Sequence, residues 1–374
     1  MANKAIKYRI YPTTEQAVLF AKTFGCCRKV WNLMLSDKIK SYEETKTFGK
    51  QTPAMYKREY PYLKEVDSLA LANVQLQLQQ AMKNCFGSKH CKFPKFKSAK
   101  YSRKSYTTNN QKGTIMVYEK TIKLPKVGIV KAVIHCRADS DWKVKSATIV
   151  RDLEGNYYVS VLYEYEAVNI GKTENITNAV GLDYKSDALY MDSEGNIGTN
   201  HKYYRESEEK LAKAQRILSR RKGAKKGEET SKNYRKQQRK VGKIHRHIAN
   251  QRLDHLQKLS TEITNQYDVI CVESLHMRAM SNKRFGNGKA TLDNGYGKFL
   301  ELLEYKLKDR GKYLVKVSKW YPSSQICSCC ERRKKLRLEE RIYECECGLE
   351  MDRDYNAAIN IKREGLRILR EEAV

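Results

Sequence analysis

Apolar and polar positions change their period several times along the chain, and each change marks an element. KAIKYRIYP (4–12) alternates residue by residue, as a half-buried strand does, and stops at Pro12. From Glu15 to about Ser41 the apolar residues Val18, Phe24, Val30, Leu33 and Leu35 recur at helical spacing. A second helix is predicted over 68–86, where a Leu/Val stripe lies opposite the amides Asn73, Gln75, Gln77, Gln79 and Gln80. TIMVY, GIVKAVIHC, KSATIV and YYVSVLYEY then read as strands over about 115–165, split by turns such as Glu154-Gly155-Asn156, and suggest a β-barrel-like module. TENITN (173–178) reads as a linker.

Beyond the linker, short buried strands alternate with helices. AVGLD (179–183) and ALYMD (188–192) are strands, and SEGN (193–196) is a hairpin turn into a third. Helical periodicity over 201–250 runs on into IHRHIANQRLDHLQKLS (244–260). DVICVE (268–273) is a buried strand ending in Glu273, and KFLELLEYKLKDRG (298–311) is a helix stopped at Gly311. KYLVKVSKW (312–320) is another strand, and NAAINIKREGL (356–366) is the last helix.

Charge changes this picture from a generic multidomain protein to one with a definite kind of partner. The 374 residues suffice for several domains and carry a formal net charge of +30. A surplus of that size implies a long polyanion. An anionic membrane is the rival, but no apolar run is long enough to span a bilayer, no lipidation signal is present, and MANKAIKYRIYPTT is too polar for a secretory signal. A cytoplasmic location with no membrane partner is therefore expected. The charge is also concentrated. Between Lys83 and Lys104 stand eight Lys/Arg and no acid, interleaved with Phe86, Phe93, Phe96 and Tyr101. This is the mixture that tracks single strands and backbones, with Lys83, Lys92, Lys95 and Lys97 as candidate contacts. Residues 201–250 hold 17 Lys/Arg against 5 Asp/Glu, with Arg220, Arg221, Lys222, Arg235 and Arg239 as candidate contacts.

Eleven cysteines in such a chain are expected to be reduced, which favours metal binding over disulfides. Cys327/Cys330 and Cys345/Cys347, with 14 residues between the pairs, can close a tetrahedral Zn²⁺ site; Cys329 is an alternative to Cys330. Cys26, Cys27 and Cys271 lie in apolar patterns and read as buried small hydrophobes. Cys85, His90 and Cys91 form half of a ligand set with no matching pair nearby.

Three acids stand at element ends in the second half. Asp183 closes the strand after Val180-Gly181-Leu182, Glu273 closes DVICV, and Asp354 opens the last helix. Asp183 and Glu273 each follow an apolar run that would bury them, and a buried carboxylate without a cation is costly. Three carboxylates gathered from distant sequence are the minimum apparatus for two-Mg²⁺ phosphodiester hydrolysis. In DRDYNAAIN, Asp352 and Asp354 compete for the third place, with Asp354 preferred as ligand and Asp352 as helix cap.

These residues carry a family resemblance. GLDYKSDALYMDSEGN, DVICVESLHMRAM and SSQICSCC…CECGLEMDRDYNAAINI resemble the RuvC-type motifs and zinc knuckle of TnpB, the insertion-sequence-encoded RNA-guided nucleases related to the type V CRISPR effectors. KYRIYPTTEQ, FGCCRKVWN, FPKFKSAKYSRKSYTTNN and IKLPKVGIVK are similar too, so the resemblance covers nearly the whole chain. It implies an α+β multidomain protein with an RNase H-like (RuvC) α/β nuclease, an inserted zinc knuckle, a β-barrel wedge domain and a helical recognition lobe. The implied bounds are wedge 1–15 and 99–172, recognition lobe 16–98, nuclease 178–326 and 348–374, and knuckle 327–347. It also implies Asp183, Glu273 and Asp354 as a catalytic triad holding Mg²⁺, and Cys327, Cys330, Cys345 and Cys347 as zinc ligands. The implied partners are a guide RNA from the element's end, a double-stranded DNA target and its displaced strand, with a short motif read beside the target. Asn73 and Gln77, four residues apart on one helix face, are candidates for reading that motif, since amides pair bidentately with adenine. The chain departs from the family where CxxCG becomes CSCCE, placing Glu331 where a glycine normally lets the knuckle turn. The rival expectations are a catalytically silent RNA-guided or zinc-ribbon regulator, and a transposase using a tyrosine nucleophile near paired histidines. The close pair His245/His247 lies in the basic helix, so the triad favours hydrolysis.

Overall fold

The computed structural model describes residues 2–87, 91–100, 102–166, 178–222, 231–281, 288–337 and 339–372. The chain divides into two compact units, 1–166 and 167–374. His90, Tyr101 and residues 173–177 of the expected linker lie outside the described residues.

The first unit is a seven-stranded, wholly antiparallel sheet with helices inserted after its first strand. Its strands are β1 (Ala2–Tyr11), β2 (Lys104–Asn109), β3 (Met116–Val117), β4 (Thr121–Leu124), β5 (Gly128–Val133), β6 (Lys143–Arg151) and β7 (Tyr157–Tyr165), in the order β2-β6-β7-β1-β5-β4-β3. Between β1 and β2 run α1 (Thr14–Thr45), the one-turn α2 (Tyr56–Glu59) and α3 (Ser68–Gly87). A capping box starts α1: Gln16 N donates to Thr13 Oγ1, and Thr13 N donates to Gln16 Oε1. The buried stripe of α1 is Phe20, Phe24, Cys27, Val30, Trp31, Met34 and Leu35, whereas Val18 is exposed. The expected stripe was thus correct for Phe24, Val30 and Leu35 and out of phase at Val18. Phe20 and Phe24 pack against Tyr106 of β2 and Tyr157 of β7, which fastens the helices to the sheet.

The second unit holds a mixed sheet of five strands, β8 (Ala179–Tyr184), β9 (Tyr190–Asp192), β10 (Ile197–Gly198), β11 (Val269–Glu273) and β12 (Tyr313–Val317), in the order β10-β9-β8-β11-β12. β8, β11 and β12 are parallel, and β9 and β10 add an antiparallel hairpin. Its helices are α4 (Tyr203–Arg220), α5 (Lys232–Gln266), the short α6 (Met277–Met280) and α7 (Gly288–Asn294), α8 (Tyr296–Asp309) and α9 (Arg353–Glu372). The knuckle adds a small ladder of β13 (Ile342–Glu344) with β14 (Glu350–Asp352).

Both faces of the parallel strands are covered, which is why DVICV reads as one unbroken apolar run. Ile270 and Val272 face a core with Phe299, Leu302, Leu303 and Leu307 of α8 and Leu256 and Ile263 of α5. Val269 and Cys271 face the opposite core with Ile361 and Leu369 of α9. Gly181 and Gly365 let α9 lie directly on the sheet. A Cβ on Gly181 would overlap the Ala358 carbonyl oxygen and meet Lys362 N at 2.6 Å, and one on Gly365 would run into the Cys271 side chain. Gly181 and Cys271 are register partners, so one short stretch of two strands carries the helix.

Candidate active site and metal centre

Strand alternation decides where the acids go. Residues 269 and 271 face α9, so Glu273 does too. Gly181 lies under α9, so Asp183 shares that face. Val272 pairs with Leu182, which makes Glu273 and Asp183 neighbours at the ends of parallel strands. The first turn of α9 carries Asp354 to the same edge. The mutual influence of the three is visible in the Asp183 carboxyl, which is held well above the usual range by burial, then by the charges of Asp354 and Glu273. Burial alone pushes Glu273 up to about 7. These are hard oxygen donors in a desolvated corner, the donor chemistry that a divalent cation such as Mg²⁺ takes, although the three are not drawn together as closely as the knuckle sulfurs.

Asp352 and Asp354 have separate tasks. Asp352 Oδ1 accepts from Asp354 N at 2.8 Å and Tyr355 N at 3.1 Å, the hydrogen bonds of an N-cap. Asp354 Oδ2 instead receives Lys185 Nζ at 2.6 Å, with both side chains mostly buried. Burial works against the Lys185 ammonium, but Asp354 outweighs it and raises it above its ordinary value. Lys185 was missed by the sequence reading, although it follows Asp183 by two residues, just beyond the end of β8. Because the ammonium is paired with a carboxylate that would hold a metal, Lys185→Met is expected to lower the Mg²⁺ concentration for half-maximal thermal stabilisation roughly tenfold. Mg²⁺ titrations followed by thermal unfolding check this, and an unchanged midpoint refutes competition.

The knuckle is built next to this site. The sulfur atoms of Cys327, Cys330, Cys345 and Cys347 lie within 4.8 Å of one another. The Cys327–Cys347 and Cys330–Cys345 separations are 3.6 and 3.5 Å, close to the ~3.8 Å edge of a tetrahedron with Zn–S bonds of about 2.3 Å. The residues present therefore fit zinc. Burial opposes the Cys327 thiolate, but the Cys330 and Cys329 backbone N–H groups and the neighbouring thiols bring it down to about 7. Cys329 is exposed and lies outside the group, so the sulfur cluster contains Cys330 and not Cys329. Glu331 has φ 63°, so the turn that a glycine would make freely is made here by a strained residue, as CSCCE suggested.

Two asparagines couple knuckle and helix, with no local sign of it in the amino-acid pattern. Asn356 Nδ2 donates to Ile326 O and its Oδ1 accepts from Ser328 N, while Asn360 Nδ2 donates to Ser323 O and Ile326 O. Both are fully buried. From the other side, β14 ends at the cap Asp352. The position of Asp354 is thus set by the knuckle and by the seat of α9 on Gly181. Gly181→Val is expected to cost about 3 kcal/mol and lower the melting temperature by roughly 6–12 °C, measured by thermal unfolding. An unchanged melting temperature would show that α9 can lift without loss.

The basic candidates are distributed as follows. Lys83, Lys92 and Lys95 are exposed, while Lys97 is half-buried with its Nζ 3.6 Å from the centre of the Trp31 ring. The segment carrying them is tied to α1 by Trp31 Nε1 donating to Lys95 O and Asn32 Nδ2 donating to Lys97 O. Gln77 lines a shallow cleft with Arg28, Lys97, Arg103 and Lys104. Burial and then the Arg151 and Arg28 cations push the Lys104 ammonium below its ordinary value. Asn73 does not line that cleft, and its Nδ2 donates to Leu69 O of its own helix. Arg220, Arg221, Lys222, Arg235 and Arg239 are exposed on or beside α4 and α5. Cys85 and Cys91 are free thiols, and Cys26, Cys27 and Cys271 are buried as expected. No described helix is long and apolar enough to cross a membrane.

Comparison with known proteins gives this architecture a family. A model described as "Cas12f1-like, TNB domain" matches residues 296–361, and an IS605 OrfB model described as "Probable transposase" matches 160–284. A Streptomyces pristinaespiralis protein named "Putative RNA-guided DNA endonuclease" is 34% identical over 387 residues, covering 97% of this chain and 89% of that one. The chain belongs to the TnpB (IS605 OrfB) family. An Escherichia coli K12 relative of this TnpB chain, "Putative RNA-guided DNA endonuclease InsQ", is 27% identical over 98% of this chain and 93% of its own. The fold is similar to the protein in a cryo-EM structure of a Cas12f1-sgRNA-target DNA complex, with a TM-score of 0.59 and 12% identity, over 96% of this chain and 98% of that one. An IS605 OrfB model described as a helix-turn-helix domain matches residues 1–47, where this TnpB chain has the strand β1 and the single long helix α1.

Proposed function

We propose that the protein is an RNA-guided, Mg²⁺-dependent DNA endonuclease of a transposable element, hydrolysing phosphodiester bonds of guide-matched DNA beside a short motif. The observation that carries the proposal is the convergence of Asp183, Glu273 and Asp354 at one sheet edge, with burial raising the first two. In this reading the second unit is an RNase H-like (RuvC) nuclease over 178–326 and 348–374, interrupted by the knuckle at 327–347. In the first unit, residues 1–15 and 99–172 are the wedge barrel and 16–98 the recognition lobe.

Asp183, Glu273 and Asp354 would hold the Mg²⁺ ions, which when bound supply Lewis acidity at the attacking water and the leaving 3′ oxygen. The protein's own contribution is positional. Asp352 and the two asparagines fix the start of α9, and the seat on Gly181 fixes its height above the sheet. Lys185 pairs with the Asp354 carboxylate and orients it until a cation takes its place. The exposed cations of α4, α5 and the 83–97 segment suit the backbones of a guide–target heteroduplex and a displaced strand, whose sequence is read by pairing rather than by the protein. Gln77, free at the basic cleft, is the better candidate for reading the flanking motif. Gln77→Ala is expected to change motif preference in a cleavage assay on randomised flanks, and Asn73→Ala to leave it unchanged.

The deciding experiment is co-expression with the native flanking DNA, sequencing of copurifying RNA, and cleavage assays with and without Mg²⁺. A discrete RNA with guide-matched cutting that disappears in Asp183→Ala supports the proposal. Target binding without cutting by the wild type would instead indicate a silent regulator.

A further inference from the structure

Trp320 is the most exposed large apolar side chain among the described residues, at 81%. Its neighbour Tyr321 is partly buried against the α9-side core, so adjacent aromatic residues are sorted one inward and one outward. The outward ring is not on a loose segment. Trp320 N donates to Ser318 Oγ, Tyr321 N donates to Ser318 O at 3.0 Å, and Ser323 N donates to Tyr321 O at 2.9 Å.

Both ends of this turn are attached to elements that carry the acids. On one side it follows Val317, the register partner of Glu273, and Ser274 N donates to Val317 O at 2.9 Å. On the other side it leads into Ser323, whose carbonyl accepts from Asn360 of α9. Three residues past a paired neighbour, Trp320 stands within about 16 Å of Glu273, beyond the carboxyl ends of the parallel strands. Lys319 Nζ lies 4.8 Å from the ring centre. An exposed indole face with a cation beside it suits a flat, electron-rich group attached to a phosphate.

Resting on the nuclease reading above, we propose that Trp320 is a stacking platform for an unpaired base of the DNA strand being cut, a few nucleotides from the scissile phosphate, with Lys319 beside it for the backbone. A paired duplex offers no free base face at this point, so the platform acts only on a strand already opened. Its task is to hold that strand in register with the three carboxylates.

The test walks one abasic nucleotide through the cleaved strand, using guide-loaded protein. Trp320→Ala is expected to slow cleavage roughly 10- to 100-fold with guide-directed target binding unchanged, and Trp320→Phe to stay within a few-fold of wild type. At one or two positions the abasic nucleotide slows the wild type by a similar factor and adds nothing in Trp320→Ala. Additive losses at every position, or wild-type cleavage by Trp320→Ala, overturn the platform. A second measurement needs neither guide nor cleavage: tryptophan fluorescence of the purified protein during titration with a single-stranded oligodeoxynucleotide. Quenching that is lost in Trp320→Phe supports stacking even if guided cutting fails, while no quenching, or quenching equal in the variant, refutes it.

Discussion

Glu273→Gln is expected to abolish cleavage, by roughly a thousandfold or more, and at the same time to make the protein more stable at pH 8 without added Mg²⁺. The first effect follows from removing a charged oxygen donor from a three-carboxylate set. The second follows from linkage. Glu273 ionises at about 7 in the folded protein, against about 4.3 in an unfolded chain. A raised folded value means that the stabilising contribution is present below the unfolded value and is lost as pH rises through about 7. At pH 8 the wild type therefore bears a buried charge that glutamine never acquires. After allowance for partial solvent screening this amounts to about 2 kcal/mol, or roughly 4–8 °C in melting temperature. The gap closes as pH falls toward 4.5, where the wild-type carboxyl is protonated as well. Thermal unfolding of both proteins from pH 5 to 8, with zinc retained and Mg²⁺ omitted, reads this directly. A glutamine variant less stable than wild type at pH 8 would mean that Glu273 is paired rather than stranded. Saturating Mg²⁺ should erase or reverse the difference, because the wild type alone gains a ligand. The same proton makes Mg²⁺ binding weaken as pH drops below about 7.

The parts of this site that could be read from the sequence are those fixed by short-range rules. Asp-x-Glu-Gly-Asn occurs twice, at 152–156 and 192–196, and folds the same way both times. Asp152 and Asp192 each accept from the backbone N–H groups two and four residues on, and Gly155 and Gly195 adopt φ of 95° and 88°. The apolar runs before Asp183 and Glu273 marked both as acids at strand ends, and Asp352 within Asp-Arg-Asp was read as the helix cap that it is. What escaped depends on distant partners. Val18 has the right spacing for the buried stripe of α1, yet the sheet approaches from the side of Phe20 and Phe24. β2 was missed because KSYTTN is polar, its burial coming from Tyr106 and Thr108 alone. Lys185, Asn356 and Asn360 are ordinary polar residues until tertiary structure brings them an acid or a row of carbonyls.

Stripping the zinc, or replacing Cys345 with serine, is expected to abolish cleavage by acting on Asp354 from a distance. The four sulfurs are the organising feature of a segment whose described residues contribute the two three-residue strands β13 and β14 and one fully buried aromatic, Tyr343. So small a core cannot hold itself together without its metal. When it opens, Ile326 and Ser328 are released from Asn356 and Asn360, and β14 no longer delivers Asp352 to cap α9. The first turn of α9 then frays, and the carboxylate it carries leaves the sheet edge, while Asp183 and Glu273 stay on strands paired with each other and packed in their own cores. Guide-directed DNA binding is therefore retained and cutting falls a hundredfold or more, a separation that a global folding defect would not produce. Hydrogen exchange should show lost protection at 350–358 with β8 and β11 unchanged. Cys329→Ser is the control, since its thiol is exposed and outside the ligand group, and it should retain one zinc per chain and full activity. Loss of zinc in Cys329→Ser, or full cutting by Cys345→Ser, would break the link between the knuckle and the position of Asp354.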